Sequence, residues 1–367
     1  MAADSAALRV LHLPTVVGGH AGHLSNGERA LGLQSELLTL GVDNPFGYQE
    51  GRSLNINGRT TVLGKLGKLT KGFIDVRSKY DVFHFNYGTS LLHSPRFGLN
   101  LFDVPFYPGS SRLFVTYNGC DARQKFPTMT SRKWAACHDS NCYAGQCNSG
   151  QLDLQRRAGI EKMTQYAHHI WAVNPDLLNF LPSGKSSFLP YSISVGNRWP
   201  IPPNCEGVLR VAHAPTDRAA KGTQHVIDVC RALAERYPGR IELDLIENLV
   251  RERALDRLLQ CDVLVDQLLI GWYGGVAIEA MLLGKAVIVR IENDDLTYIP
   301  APMRSQLSTA FIQSDPDRLY ATLEDCILER QRVTAAARSG LAYAKLWHDP
   351  IAVARITAAA YQAAFAR

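Results

Sequence analysis

The sequence predicts a soluble α/β protein of two doubly wound domains, each built on a parallel sheet, and three observations carry that prediction. Short apolar runs alternate with segments of helical period along most of the chain, the pattern of parallel strands joined by right-handed crossover helices. That alternation starts twice, before and after WPIPPNC at 199–205, where three prolines in quick succession make a stiff connector. Finally, residues 271–289, GWYGGVAIEAMLLGKAVIV, join a glycine turn, a short helix bearing one carboxylate, a second glycine turn and a buried strand. Glycines let a ligand approach the backbone, and the helix start that follows offers free N–H groups to an anion.

At 367 residues the chain is long enough for two cores, and no apolar run approaches a membrane span. The opening MAADSAALRV lacks the basic and apolar regions of a signal peptide, so cytosolic residence is expected. A net charge of +5 suits an anionic substrate or lipid surface and is too small to argue for nucleic acid. Without a leader, the eight cysteines read as thiols or ligands and not as a disulfide framework.

The first domain is expected over 1–198. LRVLHL at 8–13 is a strand, followed by the loop VVGGHAGH; Gly18 and Gly19 there could cradle a phosphate or simply turn the chain, since no GxGxxG spacing is present. Ser25 and Glu28 form a capping box that predicts a helix through ERALGLQSELLTL, ended by Gly41. Residues 61–79 read as a basic amphipathic helix, either lying on anionic lipid or presenting its lysines to solvent from a packed position. DVFHF and RLFVTY are strands ending in polar clusters. Ligands of open α/β sheets bind past strand C-termini, so His84, Asn86, Asn118, Asp121 and Arg123 are cleft candidates, with turn capping as the alternative.

The stretch 120–150 breaks this rhythm. It carries Cys120, Cys137, His138, Cys142 and Cys147 with no apolar period, which fits a structural zinc clip on the four cysteines, and equally free thiols or one disulfide. A helix near 152–167 and the strand HHIWAV follow.

The second domain is expected over 199–346. VLRVAHA, RIELDLI and DVLVDQLL are strands; QHVIDVCRALAERYP and VRERALDRLLQC are helices; a helix at 275–283 and a strand at 285–290 complete the glycine-rich stretch, and helices fill the chain beyond Asp315. In a parallel sheet the loops PTDRAAKGT and GWYGGVAIE share one edge. Arg218 and Lys221 could then face a diphosphate together.

At these residues the chain resembles the large retaining GT-B glycosyltransferase family usually numbered four. HAPTDRAAKGT, DVLVDQLL and GWYGGVAIEAMLLGKAVIV resemble its carboxy-terminal half; VTYNGCDAR and VLHLPTVVGG resemble pieces of its amino-terminal half. The resemblance implies two Rossmann-like domains facing each other across a cleft, the nucleotide sugar held mainly by the second and the acceptor by the first. It further implies that no catalytic metal is needed and that the final segment, 347–367, crosses back as a helix.

Residue by residue, it implies that Glu279 receives the ribose hydroxyls and that Lys221, with Arg218, receives the diphosphate. Gly274, Gly275 and Val276 would present backbone N–H groups, and Gly18 and Gly19 would meet the same phosphates from across the cleft. Three positions depart from the pattern: Gly271 stands where a glutamate contacts the donor sugar, Asn118 where a histidine is customary, and the usual arginine before Lys221 is missing. Asp266, Gln267, Trp272 and Tyr273 are the nearby groups that could replace lost sugar contacts, Trp272 by stacking.

The reading is thus a glycosyltransferase using a UDP- or GDP-linked sugar and a sugar, cyclitol or lipid-linked acceptor. Arg218, Lys221, Asn118 and Asp121 are its expected catalytic residues, and His20, His23, His84 and Asn86 the acceptor-side candidates. Its rivals are a nucleotide-sugar-binding partner subunit without turnover, a sugar-nucleotide epimerase, and a thiol or metal function centred on 120–147.

Overall fold

A computed structural model of the chain describes residues 7–41, 47, 51–95 and 98–366; the first six residues of the opening stretch lie outside it. In the first domain the chain runs β1 (Arg9–Leu13), α1 (His20–Ala30), β2 (Gln34–Gly41), β3 (Arg52–Ile56), α2 (Val62–Val76), β4 (Val82–Asn86) and β5 (Arg112–Tyr117). It continues through α3 (Lys125–Ser131), α4 (Gln151–Tyr166), β6 (His169–Ala172) and β7 (Ser186–Phe188). These strands form one parallel sheet in the order β3-β2-β1-β4-β5-β6-β7. The central strands are buried on both faces: Leu11, Leu13, Phe83, Phe85, Val115 and Ile170 pack in one cluster, and Val10, Val82, Phe114 and Trp171 in another, beside the buried polar His12, His84 and Thr116.

One segment departs from its sequence pattern. The helix expected through 41 stops at Ala30, Gly32 turns the chain at a φ of +89°, and the remaining residues form β2 beside β1. Ser25 and Glu28 therefore lie inside α1 and do not cap it. The i,i+3 spacing of a capping box also occurs on one face of a helix, and here that face is buried.

The second domain begins its sheet at Leu209, after an extended connector. It comprises β8 (Leu209–His213), α5 (Arg218–Lys221), α6 (Thr223–Arg236), β9 (Ile241–Leu245), α7 (Arg251–Leu258) and β10 (Val263–Val265). There follow α8 (Gly275–Leu282), β11 (Ala286–Val289), α9 (Ala301–Ala310), β12 (Ile312–Gln313), α10 (Leu319–Leu328) and α11 (Arg330–Trp347). The sheet is again parallel, in the order β12-β11-β10-β8-β9.

The last helix, α12 (Pro350–Phe365), returns to the first domain and packs on α1. Its contact there is chemically specific. Glu28 accepts from Thr357 and Tyr361 at 2.9 Å on one oxygen, and from Ser35 at 2.7 Å on the other, which also lies 2.8 Å from His12. A buried carboxylate is tolerated only when its lone pairs are filled in this way. No helix among the described residues is long and apolar enough to cross a membrane.

Candidate functional site

The loops that follow β4, β5 and β6 in the first domain and β8 and β10 in the second open onto one interdomain cavity of about 790 Å³. All are C-terminal ends of parallel strands, the edge where such sheets collect ligands.

The second-domain wall is built around Lys221. The side chain of Asp217 caps α5 by accepting from the Ala220 N–H at 2.8 Å, which brings Lys221 to the end of that short helix. Its ammonium lies 3.2 Å from Asp266 and donates to Gln267 at 2.6 Å. Asp266 accepts from the Gly274 N–H at 2.6 Å, and Gln267 donates to the Trp272 carbonyl at 2.6 Å, so one network fixes both the lysine and the glycine turn. A Cβ on Gly274 would fall 3.2 Å from the Lys221 ammonium, a tight contact that would press on the lysine. The start of α8 has no side-chain cap, and Gly274 and Gly275 line the cavity beside Lys221. A cation next to uncapped first-turn N–H groups forms an anion-binding corner.

Glu279, on the second turn of α8, lies beyond that corner and does not line the cavity, nor does Val276. Arg251 donates to one oxygen of Glu279 at 2.6 Å. Burial raises the Glu279 carboxyl above its ordinary range, and the Arg251 charge opposes this.

The first-domain wall comes mostly from residues 118–156. Asn118 lines it, while Asp121 turns its carboxylate back onto the N–H groups of Asn118 and Gly119 at 2.6–3.1 Å. Burial pushes that carboxyl up to about 6. Asp121 therefore shapes the turn and does not enter the cavity. Arg123 makes a buried two-pronged pair with Asp176 at 2.6 and 3.0 Å. The cysteine-rich stretch spans the gap between the domains: Ala136 N–H donates to the Leu269 carbonyl at 2.9 Å and Tyr143 N–H to Asp217 at 3.1 Å.

Cys120, Cys137, Cys142 and Cys147 all face this cavity as free thiols. Burial pushes Cys137 up to about 11 and Cys142 up to about 12, so both are protonated at neutral pH. Among the described residues, the His, Cys, Asp and Glu ligand atoms that gather within 4.8 Å of one another belong to His12, Glu28 and His84; the four cysteines do not gather in this way.

Several residues expected in the cleft lie elsewhere, for identifiable reasons. Trp272 and Tyr273 are fully buried, stacked with ring centroids 4.4 Å apart, and Tyr273 bonds to Tyr343 and His348; neither offers a face to a sugar. Arg218 is exposed and turned outward to Glu247 at 2.6 and 2.8 Å. His84 is enclosed between Tyr361 and Thr116, both at 2.6 Å, and Asn86 bonds back to the His84 carbonyl.

His20 accepts from Ser192 N–H, and His23 lies 3.3 Å from the Ser192 carbonyl. Burial lowers His20 to about 3 and, with the Arg251 charge, His23 to about 4. Both are neutral rings anchoring the interdomain connector. Gly18 and Gly19 adopt left-handed backbone before α1, and their neighbour Val17 reaches the cavity.

Gly271 has φ +88°, and a Cβ there would lie 3.0 Å from Glu292 and 3.1 Å from Arg290. A glutamate would meet both backbone strain and occupied space at that point. The sequence reading missed Lys125, Arg132, Asn174 and Asp176, which line the cavity, and Arg251, which holds Glu279. Asn174 and Asp176 were detectable as the polar residues just past β6. Arg251 carries no such signal, since it opens an ordinary amphipathic helix.

No family model matches the chain, and none of the curated proteins compared with it matches. Solved structures do. The sucrose-phosphate synthase of Thermosynechococcus elongatus superposes at a TM-score of 0.62 with 14% identity, over 98% of this chain and 99% of that one. Anabaena HepE in complex with UDP-glucose gives 0.64 with 13% identity, over 97% and 100%. A putative UDP-N-acetylglucosamine 2-epimerase from Listeria monocytogenes gives 0.55 with 12% identity, over 98% and 97%. The two parallel-sheet domains and their cleft are thus those of the GT-B fold.

Proposed function

We propose that the chain transfers a sugar from a nucleoside-diphosphate donor, UDP-linked in the first instance, to a hydroxyl acceptor, with retention and without a catalytic metal. The observation that carries this reading is the corner made by Lys221 and the uncapped start of α8 inside the interdomain cavity. In the step proposed, the bond from the anomeric carbon to the donor's diphosphate breaks and a bond to the acceptor oxygen forms on the same face. The acceptor's proton passes to the departing phosphate. Lys221 and the α8 N–H groups stabilise the charge that develops on that phosphate, a preorganised electrostatic role.

Glu279, held by Arg251 just behind the corner, is the group proposed to take the ribose hydroxyls once a donor is bound. The fold of two neighbours, one solved with UDP-glucose, is consistent with such a donor. Retention, metal independence and membership of family four rest on the sequence resemblance.

One further element fits the reading. Along α2, Leu69, Phe73 and Val76 are buried, while Val62, Leu63, Leu66 and Ile74 stay exposed on the same broad apolar stripe, flanked by Lys65, Lys68 and Lys71. We propose that this half-covered stripe rests on anionic lipid and brings the cleft to a lipid-linked or membrane-proximal acceptor.

A second reading, donor binding without transfer, is favoured by Gly271 and Asn118, and most by Gly271, where a glutamate would meet backbone strain and occupied space. Radiolabelled UDP- and GDP-sugars offered with a panel of acceptors separate the two. Transfer or slow donor hydrolysis that disappears in Lys221→Ala supports the transferase. Tight nucleotide binding with no turnover of any donor supports the binding protein, and interconversion of donor sugars without acceptor supports an epimerase.

A further inference from the structure

Resting on that reading, we infer that the first-domain wall of the cavity is a recognition site for an anionic acceptor, a polyol or sugar bearing a phosphate or carboxylate. The wall brings four cations to the cavity, Arg123, Lys125, Arg132 and Arg156, whereas the carboxylates lining the whole cavity are Asp176 and Asp294. Three of the four cations are accounted for. Arg123 is committed to Asp176, Arg132 is surrounded by Glu292, Asp294 and Asp295, and Arg156 shares Asp153 with the backbone N–H groups of Lys125 and Phe126.

Lys125 is different. It is 7% exposed, its ammonium donates to the Cys137 carbonyl at 2.6 Å, and no carboxylate pairs with it among the described residues. An ammonium at the cavity wall that donates to one neutral oxygen has donor capacity to spare, and an anion arriving in the cavity can take it.

A second observation points to the rest of the ligand. Asn118 and Asn174 belong to the same wall, both nine-tenths buried or more, and their side-chain oxygens are buried without a hydrogen-bond partner, so they reach a ligand hydroxyl by turning toward the cavity. Unfilled carbonyl-type acceptors receive hydroxyl hydrogens, not anions. Cation and acceptors together therefore describe a hydroxylated molecule with an anionic substituent. Lys221 meets the donor's diphosphate on the opposite wall, so the second anion has its own cation.

The test is a calorimetric titration of the full chain, with and without saturating UDP, using glucose and myo-inositol each against its monophosphate. The UDP-saturated protein should bind at least one monophosphate about tenfold or more tightly than its neutral parent, the size expected of one charge-assisted hydrogen bond. Lys125→Gln should remove that preference and leave UDP affinity unchanged, while Lys125→Arg should retain it.

Equal affinity for the neutral and phosphorylated members of both pairs overturns the inference. So does competition between monophosphate and UDP for one site, because the cations would then serve the donor. Should Lys125→Gln fail to fold, the wild-type comparison decides alone. If UDP does not bind while a monophosphate does, the donor reading falls and the anion site stands; if neither binds, both fall.

Discussion

The two walls of the cleft follow the same βα pattern and treat their polar residues in opposite ways. On the second-domain wall, Lys221, Asp266 and Gln267 hold one another at the strand ends and keep the lysine turned toward the cavity. On the first-domain side, His20 and His23 are drawn inward to the connector at Ser192 and His84 to α12 at Tyr361, while Asn86 bonds back to the His84 carbonyl. The difference comes from the returning helix: α12 needs polar partners in the first domain, and α1 with its neighbouring strands supplies them. A polar residue near a strand end is therefore a ligand candidate only where no distant segment has claimed it.

The sharpest break between the walls should come from Lys221. Lys221→Ala is expected to lower the single-turnover transfer rate by about 10²- to 10³-fold, the usual loss for one preorganised group at a developing charge. A change under tenfold would remove the lysine from the mechanism. In the first domain, beneath α12, Glu28→Ala should lower stability by about 3–5 kcal/mol, since it strips the shared acceptor from His12, Ser35, Thr357 and Tyr361. Urea unfolding measures this, and an unchanged midpoint would mean that α12 is held by its apolar contacts alone.

The buried histidines add a pH signature. Burial lowers His20 to about 3, and His23 and His348 to about 4, from 6.5, so the unfolded chain binds more protons between those values. Stability is then fully present above about pH 6.5 and is lost as pH falls toward 4. The Glu28 carboxyl is also depressed in the fold; burial works against this, but the His12 contact and the hydrogen bonds outweigh it, so its contribution is lost at still lower pH. A flat unfolding temperature between pH 7 and 5 would contradict the neutral, buried state of these rings.

Smaller effects sharpen the donor side. Glu279→Ala should weaken nucleotide binding by about 1.5–3 kcal/mol in calorimetry. Arg218→Ala should change it by less than about twofold, because that side chain is exposed and paired away from the cavity. A large Arg218 effect would show that it swings in when donor arrives.

How much of this was legible in the sequence depends on the range of the forces involved. Strand and helix periods are local, so the parallel sheets, the proline connector and the glycine turn before α8 could all be read. Lys221 was readable for the same reason, as a strand, a loop and a Lys-Gly helix start within one short stretch. The fate of QSELLTL was not, because its strand form depends on pairing with β1. Nor was the burial of Trp272, whose ring packs against Tyr273 and Phe188 in a core assembled from distant segments. Lys125 carries no local sign at all; its place at the cavity, with no carboxylate beside it among the described residues, exists only once 120–156 has folded.

The most direct measurement is a crystal structure of the chain with UDP-glucose. The donor's diphosphate should lie within hydrogen-bond reach of the Lys221 ammonium and the Gly275 N–H, with the ribose toward Glu279. A nucleotide bound elsewhere, or a diphosphate turned toward Arg123 and Lys125 instead, would contradict the account.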